Sequence, residues 1–308
     1  MTIMRRIHTI GRSALLIATI IIASVSMAQA SWNAGNYLKL GVGARALGMG
    51  NAFVAVVDDA TAVYWNPAAM TLSDKTRVFV SYADRFGANV QNQNAGIAFH
   101  WREEFYLGFG FVRNSIDDIK YSPDRRSTGE RPTVNGTFKD AQVALMASGA
   151  FRLSDLLSLG VTAKYLTHEL AGKTAEGVGF DFGVLVHPLE RLTLGMNTQN
   201  INRPRMSWAN ETNHFDRIPA NFKIGAAYDL VPDRLRISSD INIPDSDDLL
   251  LNIGGEYTPV SNLSLRGGLL GEDLGTGASI GWQDVQMDYA YYIHDIGDTH
   301  RFTLLYKF

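Results

Sequence analysis

From residue 76 onward, apolar side chains recur at every second position in short runs, which is the period of a β-strand with one apolar face. Near the C-terminus, for example, Val285 and Met287 alternate with Gln286 and Asp288. Segments with the period of a helix are scarce in this part of the chain. The pattern therefore predicts an all-β fold.

The number of such runs indicates how the strands are arranged. About fourteen runs can be counted, and an even number is required of a closed outer-membrane barrel. We therefore predict a transmembrane antiparallel β-barrel. The runs begin near Arg77, Ala95, Phe105, Ala141, Leu157, Val178, Leu192, Ala220, Leu235, Leu249, Leu263, Ala278, Val285 and Arg301.

The connections between the runs support a barrel over its main alternative. Short connections alternate with longer ones, as expected for tight periplasmic turns and longer outer loops. A soluble β-sandwich also alternates apolar and polar positions, but it gives no reason for this rhythm or for an even strand count. The short connections are 102–104, 153–155, 187–190 and 231–233, and the longest are 114–140 and 201–217.

The faces opposite the apolar ones carry glycines, small residues and charges. Such faces suit a crowded polar lumen, because lipid-facing and lumen-facing positions alternate along each barrel strand. The charged positions predicted to face the lumen are Lys164, Asp181, Lys223, Arg236, Asp240, Glu256, Arg266 and Asp288.

The first thirty residues have the form of a secretory signal peptide. Arg5, Arg6 and Arg12 precede an apolar stretch over 14–25, and the segment ends in small residues before a predicted cleavage after Ala30. A membrane anchor would need about 20 apolar residues. The chain contains no cysteine, so it has no disulfide with which to stabilise an exported fold.

The net charge and the absence of a linker narrow the class of protein further. Loss of residues 1–30 removes three arginines, so Lys+Arg falls from 28 to 25 against 31 Asp+Glu, and the net charge is 25 − 31 = −6. This balance argues against nucleic acid as a partner. No Pro/Ser-rich linker interrupts the chain after residue 75, which favours one folded unit.

The last eight residues form a strand with an apolar face. Phe302, Leu304, Tyr306 and the terminal Phe308 share that face. This ending resembles the assembly signal of bacterial outer-membrane barrels, which implies the barrel assembly machinery and outer-membrane lipid as partners. Closure then requires the last strand to pair with the first, so that no strand edge is exposed to lipid.

Residues 31–75 precede the predicted barrel and do not alternate. The glycines from Gly41 onward approach a dinucleotide fingerprint, but that motif needs a following helix within a βαβ unit, and neither is predicted here. Asp58 and Asp59 are placed to cap a short helix over 60–65, which Pro67 would end. We interpret the glycines as close-packing positions of a segment inside the barrel mouth.

Residues 38–70, LKLGVGARALGMGNAFVAVVDDATAVYWNPAAM, closely resemble the N-terminal signature of the PorV/PorQ family, a branch of the FadL-type barrels. The resemblance implies that 31–75 form a hatch segment ahead of a 14-stranded barrel over 76–308. Ala69 departs from the family, which usually has glycine there. The matching positions are Gly43, Ala44, Arg45, Gly48, Met49, Gly50, Asp58, Asp59, Asn66, Pro67 and Ala68.

The resemblance implies two functions. PorV-like proteins are components of type IX secretion that bind the C-terminal signal domains of secreted cargo, whereas FadL-type barrels pass long-chain fatty acids or other hydrophobic molecules. The longest connection, 114–140, is strongly charged and lacks the apolar surface of a fatty-acid groove. We therefore expect a secretion-associated or structural outer-membrane barrel, with the hydrophobic-molecule channel as the alternative.

An enzyme is not expected. The sequence has no Gly-x-Ser-x-Gly elbow, no His-Glu-x-x-His motif and no cysteine nucleophile. His168 with Glu169, and His294 with His300, are interpreted as polar residues near strand ends rather than as catalytic or metal-binding groups. No cofactor and no metal are predicted.

Overall fold

A computed structural model of the chain describes residues 34–85, 90–122, 134–209, 214–245, 248–294 and 297–308. These residues belong to one compact unit. The predicted signal peptide over 1–30 lies outside the described residues, and so do residues 123–133 of the charged connection.

Fourteen strands of the described chain form a closed antiparallel barrel, which confirms the predicted fold. Each strand pairs with its neighbour in sequence, except that β7 pairs with β10 across a small hairpin, β8–β9. The strands are β1 (Arg77–Arg85), β2 (Val90–Arg102), β3 (Phe105–Lys120), β4 (Thr137–Ser154), β5 (Leu157–Leu170), β6 (Lys173–Leu189), β7 (Leu192–Gln199), β8 (Arg205–Trp208), β9 (Phe215–Arg217), β10 (Asn221–Val231), β11 (Leu235–Pro244), β12 (Leu250–Val260), β13 (Leu263–Leu270), β14 (Asp273–Trp282), β15 (Val285–Ile293) and β16 (Thr299–Lys307).

The first and last strands close the barrel as expected. β1 and β16 pair from Arg77↔Lys307 to Arg85↔Thr299. The pairing continues past the strands, because Thr76 and Phe308 exchange two backbone hydrogen bonds of 3.0 Å. The chain terminus is therefore part of the wall.

The outer face of the wall is apolar and the inner face is small or polar. In β16, Phe302 and Leu304 are exposed, whereas Arg301 and Thr303 are buried. Exposed aromatic residues, including Trp101 and Trp282, lie beside the short turns, where an interfacial girdle is expected. A membrane provides the apolar surroundings that this outer face requires.

Several strands begin earlier than the pattern predicted. The expected starts at Ala95 and Val178 are wrong by a few residues, because β2 begins at Val90 and β6 at Lys173. The additional residues are polar or small and extend beyond the apolar belt, so they do not show the alternation that marks a lipid-facing strand.

The predicted alternation of short and long connections is only partly observed. Two connections at the long-loop end, 171–172 and 271–272, are two-residue turns. The predicted long connection over 114–140 is shorter, because β3 extends to Lys120 and β4 begins at Thr137. The connection over 201–217 contains the β8–β9 hairpin, which pairs with β6.

The hatch segment, whose described part is 34–75, contains only short helices and lies within the barrel. Its backbone contacts the inner faces of strands on opposite sides of the wall, and most of its side chains are fully buried. No helix in the described parts of the chain is long and apolar enough to span a membrane. The helices are a 3₁₀ helix (Asn36–Lys39), α1 (Ala44–Gly48), α2 (Ala62–Trp65) and a second 3₁₀ helix (Pro67–Leu72).

Candidate functional site

The glycine-rich loop at the start of the signature binds an arginine side chain of the barrel wall. Gly41 and Gly43 have φ of 71° and 82°, a region that favours glycine. Their carbonyl oxygens accept hydrogen bonds from the Arg301 guanidinium at 3.1 and 3.4 Å, and the Leu40 carbonyl accepts another at 3.3 Å. A phosphate site would need backbone N–H groups that point toward the ligand. This loop points carbonyl oxygens toward Arg301 instead, so it is built to hold a cationic group and not an anion.

A short helix does follow the glycines, contrary to the sequence-based expectation. α1 is five residues long and starts directly after Gly43. The Ala44 N–H at its start donates to Thr303 Oγ1 at 2.8 Å, so it faces β16 and not a ligand. The helix was missed because five residues are too few to show a helical period.

Glycines in the hatch segment and in the barrel strands allow the two to approach closely. A Cβ on Gly48 would lie 3.2 Å from Gly277 Cα, and one on Gly50 would overlap the backbone of Leu269. The wall contributes glycines of its own, on the inner faces predicted to be rich in glycine, but the sequence analysis did not predict their contact with the hatch segment. Those facing the hatch backbone include Gly160, Gly195, Gly254, Gly268 and Gly275.

Arg45 is the centre of an ion network between the hatch segment and the wall. Its Nε and Nη2 donate to the two carboxylate oxygens of Glu256, both at 2.8 Å, and its Nη1 pairs with Asp58. Glu256 also accepts from Arg266 Nε at 2.5 Å. Arg236 extends the network, because it lies 3.6 Å from Asp58. Two-oxygen pairing of this kind fixes the orientation of a guanidinium.

The two aspartates of the signature have different roles from the predicted capping. α2 begins at Ala62, and its N-cap residue Thr61 makes no side-chain cap hydrogen bond. Asp59 instead accepts from the Thr61 N–H at 2.7 Å and its hydroxyl at 2.5 Å, while Asp58 pairs with Arg45. Burial raises the pKa of Asp59. The acids were assigned as caps because their position before a helix is also where capping residues occur.

Asn66 links three chain segments at the end of the signature. Its Nδ2 donates to the Val54 carbonyl at 3.1 Å and to the Val184 carbonyl of β6 at 3.0 Å, and its Oδ1 accepts from the Ala68 N–H at 3.2 Å. Pro67 ends α2 as predicted, and it also begins the second 3₁₀ helix. The Asn-Pro-Ala sequence thus turns the chain and attaches it to the wall.

The predicted lumen charges lie on the inner side of the wall, and most have partners. Lys164 and Asp181 form a buried pair of 2.6 Å. Lys223 lies 4.7 Å above the ring of Trp65. Asp240 accepts from the Phe53 and Val54 N–H groups at 2.6 and 2.9 Å. Arg236 pairs with Asp229 at 2.6 Å, and Arg266 lies 3.7 Å from Asp288.

Two further arginines were not identified from the sequence. Arg77 of β1 donates to the carbonyls of Asp58 and Met70 at 2.6 and 2.8 Å, and Arg301 of β16 holds the glycine loop. Both strands that close the barrel therefore bind hatch backbone through a buried guanidinium. Alternation had placed Arg301 on the inner face, but no pattern in the sequence indicated that its partners would be carbonyls.

The hatch segment separates two cavities. A polar cavity of about 820 Å³ opens at the short-turn end and is lined by Arg45, Asp58, Asp59, Arg77 and Glu256, among others. A smaller one of about 300 Å³ at the long-loop end is lined partly by Tyr37 and Leu40. Among the described residues, no three His, Asp or Glu side chains are grouped to hold a metal ion.

Several solved structures are similar to this chain and share its barrel. The toluene transporter TbuX of Ralstonia pickettii superposes with a TM-score of 0.61 at 14% identity, covering 87% of this chain and 98% of that one. A FadL homologue of Pseudomonas aeruginosa gives a TM-score of 0.60 at 13% identity, covering 91% and 99%. These identities establish a likeness of fold. A comparison with curated proteins finds no match.

The family comparison identifies the chain. The model of type IX secretion system protein PorV matches residues 27–184, which is 158 of the 308 residues and so more than half of the chain. The closed barrel and its FadL-type neighbours agree with the resemblance seen in the signature. The chain is therefore an outer-membrane β-barrel that belongs to the type IX secretion system PorV family.

Proposed function

We propose that this barrel acts in type IX secretion as a plugged docking component, which binds secretion-system proteins or secreted cargo and does not conduct small molecules. The observation that carries the proposal is the filled lumen. Between the two cavities the hatch side chains are almost completely buried, and buried charges such as Lys164 and Asp181 surround them. A hydrophobic ligand is held mainly by apolar burial, and the apolar surface inside the barrel is already covered by hatch side chains such as Phe53, Trp65 and Met70.

Cross-linking from the loop end tests the docking proposal. A photo-reactive residue in place of the exposed Tyr121, beside the longest connection, is expected to capture a secretion-system protein or a cargo signal domain in cells. The matched control is the same residue at Val161, which is exposed on the lipid-facing wall of β5. Equal capture from both positions, or no capture from Tyr121, would contradict the proposal.

The alternative is a channel for long-chain fatty acids or other hydrophobic molecules, and the cavity at the long-loop end favours it. Val90 and Ile116 line that cavity together with Tyr37 and Leu40 of the hatch segment. Oleate titration of the purified barrel in detergent distinguishes the two functions. We expect weak or unsaturable binding, whereas tight binding that is lost when the hatch is cross-linked in place would make the channel the better assignment.

Outer-membrane lipid and the barrel assembly machinery are proposed as further partners. The exposed apolar belt provides the surface for lipid. The outward face of β16 together with the terminal residue, formed by Phe302, Leu304, Tyr306 and Phe308, is proposed as the assembly signal. The ring centroids of Tyr306 and Phe308 lie 5.2 Å apart, with the rings tilted relative to one another.

Phe308→Asp is expected to lower the amount of folded barrel in the outer membrane. A charge on the lipid face near the interface costs only about 1 kcal/mol or less, so the main effect would come from loss of the terminal aromatic. The fraction that migrates as folded protein on an unboiled gel measures the effect. Phe308→Tyr, which keeps the ring, should assemble normally. Equal folded levels of the Asp and Tyr variants would remove this role from Phe308.

Arg45→Ala is expected to loosen the hatch segment without unfolding the barrel. Glu256 keeps Arg266 as a partner and Asp58 keeps Arg236, so the loss is smaller than for an isolated buried pair, at about 1 to 3 kcal/mol. Single-channel conductance should rise modestly. Arg234→Ala, in an exposed turn, is the charge-matched control. Conductance identical to that of this control would show that Arg45 does not hold the hatch.

A further inference from the structure

The β8–β9 hairpin places two arginines opposite one another. Arg205 and Arg217 are cross-strand partners, and their guanidinium carbons lie 4.8 and 5.4 Å from the ring centroid of Phe215. Like charges directly opposite in a strand pair destabilise it unless something neutralises them. The hairpin therefore carries concentrated positive charge on one face.

No carboxylate of the described chain neutralises this pair. The nearby Arg203 forms an ion pair of 2.7 Å with Asp245, but neither Arg205 nor Arg217 has an acidic partner within the described ranges. Asp216 lies between them in sequence, yet its carboxylate accepts a hydrogen bond from Trp208 Nε1 at 2.8 Å on the other face. Neither arginine is therefore ion-paired within these ranges, and the acid on this face, Glu176, lies opposite Ser207 in the register.

The same face of the hairpin meets the lipid-facing wall. Ser207, opposite Phe215 in the register, lines a groove of about 540 Å³ together with Tyr165 and Val178. Tyr165 and Val178 are exposed on the outer surface of β5 and β6, and the carboxylate of Glu176 lines the same groove. A groove with apolar walls at Tyr165 and Val178 and one carboxylate, that of Glu176, therefore lies beside a cationic face.

We propose that Arg205, Phe215 and Arg217 form a binding site for the phosphate of an outer-leaflet lipid, whose acyl chain lies along Tyr165 and Val178. The hairpin is at the long-loop end, which faces outward in outer-membrane barrels. Two guanidinium groups match phosphate oxygens through charge-assisted hydrogen bonds. The inference depends on the outer-membrane location and not on the proposed docking function.

Titration of the purified barrel in an uncharged maltoside detergent with dodecyl phosphate tests the site. We expect saturable binding, and we expect Arg205→Gln with Arg217→Gln to weaken it by about tenfold or more. Arg191→Gln with Arg234→Gln removes the same charge from exposed turns at the opposite end and should bind as the unmodified barrel does. Inorganic phosphate, which has no chain for the groove, should bind more weakly. Each variant is first checked for folded migration on an unboiled gel.

Four results would overturn the proposal. Undiminished binding by the Arg205/Arg217 variant would remove the arginines from the site. An equal loss in the Arg191/Arg234 variant would reduce the effect to net charge. Equal affinity for inorganic and dodecyl phosphate, or binding of an acidic peptide without binding of dodecyl phosphate, would exclude a lipid as the ligand.

Discussion

Replacing Gly268 with leucine is expected to drive the hatch segment out of its position while the barrel wall stays folded. A Cβ on Gly268 would overlap the backbone of Met49 and Gly50, which cannot turn aside as a flexible side chain could. Overpacking of this kind costs about 3 kcal/mol or more. The wall keeps its own closed set of backbone hydrogen bonds, so it does not need the hatch to satisfy them.

Because the chain has no cysteine, a single introduced thiol reports the position of the hatch. In an Ala55→Cys background, where position 55 is buried, maleimide labelling of the native barrel should be slow. Adding Gly268→Leu should make it fast. The control is Gly267→Leu, one residue earlier, because a Cβ there meets nothing within 4 Å. Equally slow labelling in both variants would show that Gly268 is not required for hatch packing.

Arg301→Met is expected to release the glycine loop from β16. The substitution leaves the carbonyls of Leu40, Gly41 and Gly43 buried without their donor, and each unsatisfied group costs about 1 to 3 kcal/mol. Opening of the hatch should become easier by about 3 kcal/mol, which corresponds to about 100-fold faster labelling of the Ala55→Cys thiol. Resistance of the folded band to heating should also fall.

The Arg301→Lys variant separates the contribution of the positive charge at position 301 from that of the guanidinium geometry. Lysine keeps the positive charge but presents a single ammonium group, so it reaches fewer of the carbonyls than the guanidinium fork does. We expect labelling intermediate between the native and Met variants. Labelling of Arg301→Met at the native rate would mean that the glycine loop is held by the Ala44–Thr303 hydrogen bond and packing alone.

The wall could be predicted from the sequence because lipid contact imposes its pattern residue by residue. Phe302 and Leu304 must face lipid, and the alternation that results fixes the orientation of Arg301 and Thr303 between them. The same pattern fails at Val90 and Lys173, where strands extend beyond the apolar belt and no lipid acts on the side chains. The number of strands was therefore predictable, but their ends were not.

The interior of the hatch was less predictable because its contacts join residues far apart in the chain. Arg45 could be expected to meet a lumen acid, but nothing local indicated Glu256 as its partner. The glycines of the signature could be assigned to close packing from their residue type alone. The matching wall glycines, such as Gly268, were hidden because glycine is frequent throughout the strands.

The measurement that tests the account most directly is secretion by a strain that lacks this protein. Proteins with type IX signal domains should accumulate inside the cells of the deletion strain, and return of the intact gene should restore their export. Uptake of oleate should be the same in both strains. Normal export of those proteins in the deletion strain, together with a loss of oleate uptake that the gene restores, would contradict the secretion function and establish a lipid channel.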